Sequence, residues 1–495
     1  MSPPFRPLSP RSVLAGLVGC VAIAAVLPLM GMKAGIAALA ISLALLAAPL
    51  TPWLFMVFLA ALLGLCALMS ENSVEVGVKV YGADALVFFL FLSMVSAARR
   101  PGLEHGSVDH PAGERLIVAL LVLGIAYGAA STGLGLLHGF SFNDSLGDFR
   151  RYYFYPLAML PALLLRFERK QLRLLPWAIA AGAALVILTG CYRLMTGRTW
   201  QEEYFLGEPG TAWTIQLRLL SQTEITTLGL ALAFFLAEFQ SPRRWPLRVV
   251  NGAAAGITLI MLVLSGWRLA LLYIAIAPLA ALYLLGRIRQ QPLTSLAMGV
   301  LSIALAGAAA VAGAALLVPD MVTETIETLR QRTVERAISE DLRYYAWAAA
   351  WQHFTENPVF GTGLGHQLGY YAKLSNGEFA YVESTTHNAY LTLLYRSGLI
   401  GFVFWAGLHL AFIVHVHRHL RGLAPEFQSS MVGILAGYAA IAAVHFVQPL
   451  QTGAAVSLYL VMGIAMRLVR DTALRRQPVT APPSPDERLP ATCQA

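Results

Sequence analysis

Long apolar runs separated by short polar segments occupy most of the chain. A helix needs roughly 20 apolar residues to cross the hydrocarbon of a bilayer. Runs of about that length lie near residues 13–31, 34–50, 52–69, 80–97, 115–137, 152–167, 174–192, 222–238, 249–265, 268–286, 295–318, 388–414, 429–449 and 454–469. Fourteen is the literal count, and twelve remain if the short early runs pair as re-entrant or interfacial segments. The pattern predicts an all-α polytopic membrane protein with about 12 (12–14) transmembrane helices.

Composition supports this fold class. Of the 495 residues, 57% are hydrophobic and 13% are charged, whereas soluble domains are about half apolar and a quarter charged. The net charge of +8 comes from arginines in short loops, so nucleic acid is not an expected partner. No pair of the four cysteines has metal-ligand spacing, which argues against a disulfide framework or a zinc site.

The positions of the basic residues predict the orientation. With the N-terminus in the cytoplasm, the inside loops and the C-terminal segment hold 21 of the 35 Lys and Arg residues, as the positive-inside rule requires. The first apolar run is then an uncleaved helix, and both termini are cytoplasmic. We expect one transmembrane domain over residues 1–470, including a large external loop at 319–386, and a disordered cytoplasmic tail at 471–495 that is rich in proline.

The external loop has two parts. Val322, Ile326, Leu329 and Leu342 have helical spacing, with charged residues between them. Proline and glycine then interrupt the pattern in "ENPVFGTGLGHQLGYYAKLSNGEF", which predicts a shaped loop. A connection of this length with its own helix is more often functional than a simple linker.

Several arginines fall on the side of the membrane that the positive-inside rule disfavours. They are Arg150, Arg151, Arg193, Arg198, Arg218 and Arg268. A guanidinium at a membrane boundary is costly unless it snorkels or meets an anion. The planar guanidinium can donate two parallel hydrogen bonds to a phosphate. The six arginines together therefore predict an external anion-binding site. The alternative is that each arginine simply anchors to lipid headgroups.

Two neighbouring segments bear on that site. In "DFRRYYFYPL", the tyrosines after Arg150 and Arg151 fit an interfacial aromatic belt better than a sugar-stacking surface. In "IQLRLLSQTEITTLGLAL", Arg218 precedes an apolar run whose first half carries five polar residues, Gln222, Thr223, Glu224, Thr226 and Thr227. We expect this helix start to face a wet cavity.

His387 lies where a polar run changes to an apolar one in "STTHNAYLTLLYRSGLIG". Ser384, Thr385 and Thr386 are good N-cap residues, so a helix is predicted to start there. The helix dipole would favour the neutral imidazole, which can accept a proton as a general base. Asn388 suits either a cap or a contact to a hydroxyl, and Tyr390 shares the histidine's helix face. A capping role for the histidine is the alternative.

Several motifs together resemble the O-antigen ligase and polymerase superfamily. The pattern of His387, Asn388, Gly398 and Gly401 is similar to the family's histidine signature, and "WQHFTENPVFGTGLG" is similar to its segment ending in proline and a glycine-rich turn. Arg218 and Arg268 match family positions. The order of elements also agrees over roughly residues 149–466.

This resemblance implies a GT-C-type glycosyltransferase of the bacterial inner membrane whose active site faces the periplasm. Such an enzyme moves a glycan from undecaprenyl diphosphate to an acceptor, which in ligases is lipid A-core oligosaccharide. We expect His387 as base, Arg218 and Arg268 at the departing diphosphate, and Arg150, Arg151, Asn388 and Tyr390 as substrate-binding residues. The chain has no D-x-D sequence, so no metal or other cofactor is expected. Direct displacement of the diphosphate would invert the anomeric centre.

Three other functions are compatible with the sequence. A polymerase would share the histidine and arginines and differ in its acceptor, and a protein O-oligosaccharyltransferase would use a serine of a pilin-type protein. A transporter for an anionic lipid or solute would use the external arginines as an entry site. Transporters commonly show repeated halves and broken helices, neither of which is evident in the sequence.

Overall fold

The structure is a computed structural model of the 495-residue chain. It describes parts of 56–90 and 305–323, and residues 112–164, 169–196, 201–203, 216–241, 245–265, 268–289, 342–373 and 379–474. The predicted apolar runs 13–31 and 34–50, most of 295–318, and the tail from 475 lie outside these residues.

Helices account for most of the described chain. They are α1 (Ala112–Leu137), α2 (Phe142–Phe149), α3 (Met159–Leu164), α4 (Arg169–Leu172), α5 (Leu175–Thr196), α6 (Gln222–Phe239), α7 (Trp245–Leu264), α8 (Arg268–Arg289), α9 (Leu342–Glu356), α10 (Ala389–His419), α11 (Pro425–Val444) and α12 (Thr452–Leu474). Helices α5 to α8 and α10 to α12 begin and end within a few residues of the predicted runs.

Six helices in the described part of the chain are long and apolar enough to cross a membrane. They are Gly113–Leu137, Lys170–Thr196, Trp245–Leu264, Leu269–Arg289, Ala389–Gly422 and Phe427–Val444. The chain is therefore a helical, multi-pass membrane protein. The predicted total of about twelve transmembrane helices stays a prediction.

Three short hairpins depart from the all-α prediction. Antiparallel pairs join β1 (Ser73–Glu75) to β2 (Lys79–Tyr81), β3 (Gln201–Glu203) to β4 (Gln216–Arg218), and β5 (Leu368–Lys373) to β6 (Phe379–Ser384). The last hairpin begins in the segment that was predicted to be a shaped loop and adds strands that were not predicted. Its inner face, Leu368, Tyr370 and Ala372, packs against α9.

The predicted transmembrane run at 152–167 is wrong in its local structure. Residues Arg150–Phe154 form a π-helical turn and Tyr155–Ala158 a 3-10 turn before α3 begins. Pro156 lacks an N–H group, which weakens a regular helix across this point. The tyrosines Tyr152, Tyr153 and Tyr155 are buried in the protein rather than exposed as an interfacial belt.

Helix α6 is the centre of the bundle. Sixteen of its 18 residues are buried, against α11, α8, α7 and α5. The polar start of α6, predicted to face a wet cavity, is buried, and its Thr226 and Thr227 line a small pocket with Ile434, Tyr438 and Ser457. Its contact with water stays a prediction. Ser221 and Glu224 form a capping box, Thr223 donates to Gln451 at 2.8 Å, and Tyr273 donates to Thr226 at 3.0 Å. These groups are buried because other helices supply their partners.

Arginines bond to backbone carbonyls at one end of the bundle. At one end, Arg248 donates to the Phe239 carbonyl, Arg289 to the Gln240 carbonyl and Arg421 to the Arg287 carbonyl. All four arginines belong to the set predicted to be cytoplasmic. The starts of α6 and α8 lie at the opposite end of these helices. That the end with Arg248, Arg289 and Arg421 faces the cytoplasm stays a prediction.

Helix α10 is broken at Gly398, where the backbone has φ 63° and ψ −171°. The turn 357–365 fills the break. Its Thr362 and Gly363 N–H groups donate to the carbonyls of Tyr395 and Arg396, at 2.9 and 2.8 Å. Its Pro358 and Val359 carbonyls accept from the amides of Leu399 and Ile400, at 2.8 and 3.3 Å. A non-helical backbone at membrane depth is tolerated only where protein or water satisfies it.

Gly398→Ala is expected to destabilise the protein by about 2 kcal/mol or more. The position has a positive φ, and an added Cβ would overlap the backbone of Val359 and Gly361. Thermal unfolding of the purified protein in detergent measures the effect. Gly407→Ala is the matched control, because a Cβ at Gly407 in the same helix meets Leu120 at an ordinary 3.7 Å. Equal stability of the two variants would contradict the role given to the break.

Candidate functional site

His387 lies outside the helix that it was predicted to begin. Helix α10 starts at Ala389, and its N-cap is Asn388, whose Oδ1 accepts from the Leu391 N–H at 2.9 Å. The predicted start at Ser384–Thr386 is therefore wrong, because β6 extends to Ser384 and Thr386 uses its hydroxyl in a tight turn.

The backbone of His387 is in the left-handed region, with φ 49°. Among the described residues it is the only non-glycine with a positive φ. Such a conformation costs about 1–3 kcal/mol in a non-glycine residue and is concentrated at functional sites. Histidine is enriched in this region, but a capping role does not require it, since Asn388 already caps the helix.

A dense set of hydrogen bonds holds the backbone on both sides of His387. The Thr386 hydroxyl bonds to the Asn388 carbonyl at 2.8 Å and to the Thr392 hydroxyl at 2.5 Å. Trp347 of α9 donates its indole N–H to the Thr386 carbonyl at 2.7 Å. The Ala389 N–H lies 2.9 Å from the His445 carbonyl and 3.1 Å from the Gln448 carbonyl. The half-buried imidazole is therefore attached to a backbone that hydrogen bonds hold in place on both sides.

The same end of the bundle contains the helix start that follows Arg218. Gln451 accepts from Thr223 and donates to the Gln222 side chain at 2.7 Å. The segment 445–451 therefore contacts the start of α6 on one side and Ala389 on the other. Arg218 is the last residue of β4, four residues before α6.

Arg268 is the first residue of α8. The bond between Tyr273 and Thr226 joins the second turns of α8 and α6, so these two helices start side by side. The structure thus brings the chain at His387, Arg218 and Arg268 to one end of the bundle, although 169 positions separate Arg218 from His387 in sequence.

Arg150 and Arg151 meet protein carboxylates. Arg150 lies 3.4 Å from Asp84 and donates to the Lys79 carbonyl at 2.5 Å. Arg151 lies 3.8 Å from Asp148 and donates to the Gly147 carbonyl at 3.1 Å. Arg151 retains 34% exposure of its side chain, whereas Arg150 retains 11%. Of the two, Arg151 has more surface available to a ligand.

Arg193, a third external arginine, also has a protein partner. Its guanidinium donates two hydrogen bonds to the Glu224 carboxylate, at 2.8 and 3.2 Å, and one to the Leu219 carbonyl at 2.9 Å. This pair fixes the segment just after Arg218 to the end of α5. Arg198 lies outside the described residues.

Asn388 and Tyr390 have structural contacts. Asn388 is the helix cap described above. Tyr390 donates to the Ala442 carbonyl at 2.7 Å, and its ring lies 4.4 Å from that of Phe446 and 5.5 Å from that of Trp405. Their predicted role in substrate binding stays a prediction.

One ion pair near the site was not predicted. Arg396 of α10 contacts both carboxylate oxygens of Asp148 at 2.7 Å, and Asp148 also accepts from the Gly365 N–H at 2.9 Å. The side chains are 12% and 2% exposed. The pair joins α2, the turn 357–365 and the start of α10, and thereby supports His387. The signal available in the sequence was a lone arginine inside an apolar run.

His366 belongs to a group of imidazoles beside this ion pair. It lies 3.1 Å from the Thr362 hydroxyl, and its ring is 4.8 Å from that of His353. Burial first, and then the nearby His353, Arg396 and His138, together lower the pKa of His366 to about 4.

Stability is expected to fall as the pH is lowered from about 6.5 to about 4. His366 has a lower pKa in the folded protein than in the unfolded chain, so the unfolded chain binds more protons in this window. Thermal unfolding measured against pH tests this. The His366→Gln variant should show a shallower loss across the same interval, and an unchanged slope would contradict the assignment.

Residues 253–406 match the family model described as O-antigen ligase. The matched segment is 154 of the 495 residues and supports an O-antigen ligase/polymerase family assignment. No curated protein sequence matches the chain. The matched segment includes Arg268, His387, Asn388 and Tyr390, together with the broken start of α10 and the turn that fills it.

Proposed function

We propose that the protein is an O-antigen ligase of the bacterial inner membrane. It transfers a glycan from undecaprenyl diphosphate to lipid A-core oligosaccharide at its periplasmic side. The observation that carries the proposal is the fixed, left-handed backbone of His387 at the bundle end where α6 and α8 also begin. The family match at 253–406 supports the class of reaction.

The proposed reaction is a direct displacement. A hydroxyl oxygen of the acceptor sugar bonds to the anomeric carbon of the donor while the bond from that carbon to the diphosphate oxygen breaks. His387 takes the hydroxyl proton, and undecaprenyl diphosphate leaves with the bonding electron pair. Base assistance of this kind contributes about 10²–10⁴-fold, and attack opposite the leaving group inverts the anomeric centre.

Arg218 and Arg268 are proposed to hold the diphosphate. Negative charge increases on the departing group, and fixed cations that face it stabilise the transition state more than the ground state. The first turns of α6 and α8 add the positive ends of their dipoles at the same place. Arg151 is a further candidate contact because of its exposed guanidinium. Arg150 is the weaker candidate, since Asp84 already balances its charge.

Arg268→Lys tests the two-pronged contact to diphosphate. Lysine keeps the positive charge but not the planar pair of N–H groups. The variant is expected to lose about tenfold to a hundredfold in kcat with purified donor and acceptor. Arg248→Lys, at the opposite end of the bundle, is the control and should retain turnover. Equal rates for Arg268→Lys and the wild type would argue against the contact.

Deletion of the gene followed by electrophoresis of the cell's lipopolysaccharide tests the acceptor. Loss of every species that carries O-antigen indicates a ligase. Survival of a band with a single repeat indicates a polymerase instead, and an unchanged pattern indicates a different acceptor or a transporter. Complementation with the wild-type gene and with His387→Ala links the result to the site.

A further inference from the structure

Helix α9 has one packed face and one aromatic face. Ala346 and Ala350 are fully buried against the hairpin and α10. On the other face, Tyr344, Trp347 and Trp351 are spaced three and four residues apart and are 73%, 37% and 55% exposed. We call these three residues the aromatic stripe. Residues at this spacing lie on one side of a helix, so the three aromatic side chains share one side of α9.

The aromatic stripe is attached to the segment that carries His387. The indole N–H of Trp347 donates to the Thr386 carbonyl at 2.7 Å, and Thr386 immediately precedes His387. The ring of Trp347 is therefore held one peptide from the imidazole. A ligand that lies on the stripe would reach His387 beside Trp347, the middle residue of the stripe.

We infer that the aromatic stripe binds sugar rings of the acceptor oligosaccharide. This inference rests on the proposed function and names the acceptor subsite of that same site. A pyranose presents a face of C–H groups with hydroxyls around its rim. The C–H groups carry partial positive charge and suit the electron-rich face of an aromatic ring. Gln352 and Thr355, exposed beside Trp351, offer hydrogen bonds to the hydroxyls.

The position of the stripe favours the acceptor over the donor. The general base takes its proton from the acceptor hydroxyl, so the acceptor lies on the histidine's side. Arg218 and Arg268 precede or begin helices that pack around α11, whereas α9 packs against α10 and the β5–β6 hairpin. The stripe thus extends from His387 along elements other than those proposed to hold the diphosphate.

The contacts of the stripe also favour a sugar over the membrane surface. Interfacial tryptophans keep an apolar ring in lipid and direct the polar N–H to the wet side. Trp347 directs its N–H to a protein carbonyl instead. The exposed surface next to Trp351 continues into Gln352, Thr355 and Glu356, which suits a polar ligand better than lipid chains.

Steady-state transfer and direct binding together test the inference in the full-length protein. The variants are Tyr344→Ala and Trp351→Ala, which leave the Trp347 bond in place. Trp177→Ala and Trp245→Ala are matched controls, since these tryptophans are 67% and 70% exposed and start α5 and α7. The binding probe is core oligosaccharide released from lipid A by mild acid. Saturation-transfer NMR measures its binding to the protein.

The stripe variants are expected to raise the acceptor KM about tenfold each and to weaken oligosaccharide binding by the same factor. Their kcat and donor KM should stay within about twofold of wild type, and the controls should match wild type. Trp351→Phe, which keeps a ring, should recover most of the binding.

If both stripe variants had the wild-type acceptor KM and bound the oligosaccharide as tightly as the wild type, the inference would be overturned. The proposed function would be unaffected. The inference would also be overturned if the stripe variants lost only their association with lipid vesicles. His387→Ala should retain oligosaccharide binding while transfer is lost. Wild-type protein that fails to bind the oligosaccharide but elongates a lipid-linked glycan would overturn the ligase proposal together with the inference.

Discussion

Replacing His387 with alanine is expected to lower kcat for glycan transfer by about 10²–10⁴-fold. The variant loses the group that takes the acceptor proton but keeps the hydrogen bonds made by Thr386 and Ala389. Donor and acceptor KM should change little. Transfer between purified substrates, with turnover and KM determined separately, is the measurement. A variant with near wild-type kcat would remove the general-base role.

Two neighbouring substitutions separate chemistry from structure. Asn388→Ala removes the N-cap bond to Leu391 and should lower stability by about 1 kcal/mol while turnover per folded molecule is retained. His387→Gly removes the imidazole but suits the positive φ. It should therefore be at least as stable as His387→Ala and equally inactive. If Asn388→Ala lost as much kcat as His387→Ala, the site would depend on the turn and not on the imidazole.

The long helices could be predicted from sequence because lipid exposure imposes a simple pattern. Helix α5 was expected at 174–192 and extends over Leu175–Thr196, and α8 was expected at 268–286 and extends over Arg268–Arg289. A helix that faces lipid must be apolar over its length, and the charges mark where it ends. The count near the N-terminus concerns residues outside the described part of the chain.

The protein partners of the polar start of α6 could not be predicted from sequence alone. Five polar residues in one helix start suggest contact with water, but protein partners satisfy buried polar groups equally well. Here Gln451 and Tyr273 are those partners, and they lie 228 and 47 positions from the threonines that they bond. Such distant pairs leave no local pattern.

The candidate site was predictable in its residue types but not in its geometry. His387 stood out as an imidazole at a change from polar to apolar sequence, and its neighbours suggested a helix start. The helix starts at Ala389 with Asn388 as its N-cap, since Thr386 bonds to the turn instead of to the first helix amides. A histidine keeps the strained left-handed backbone conformation only where the surrounding packed structure holds it.

Asp148→Asn is expected to destabilise the protein by about 3–5 kcal/mol, the largest stability loss among these predictions. Asp148 is 2% exposed and contacts Arg396 with both oxygens at 2.7 Å. The amide cannot balance the buried guanidinium, and the Gly365 N–H loses a charged acceptor. Because this pair joins three segments behind His387, the folded fraction and the transfer activity should fall together. Thermal unfolding in detergent and the yield of monodisperse protein measure the effect.

Asp144→Asn on the same short helix is the matched control. Its carboxylate accepts one exposed bond from Gln367 at 3.0 Å, and exposed polar pairs contribute about 0–1 kcal/mol. The double variant Asp148→Asn/Arg396→Gln removes the uncompensated charge and should recover part of the stability that Asp148→Asn loses. If Asp148→Asn were no less stable than Asp144→Asn, Arg396 would obtain its compensation elsewhere. The support of the histidine segment would then depend on the turn and the glycines alone.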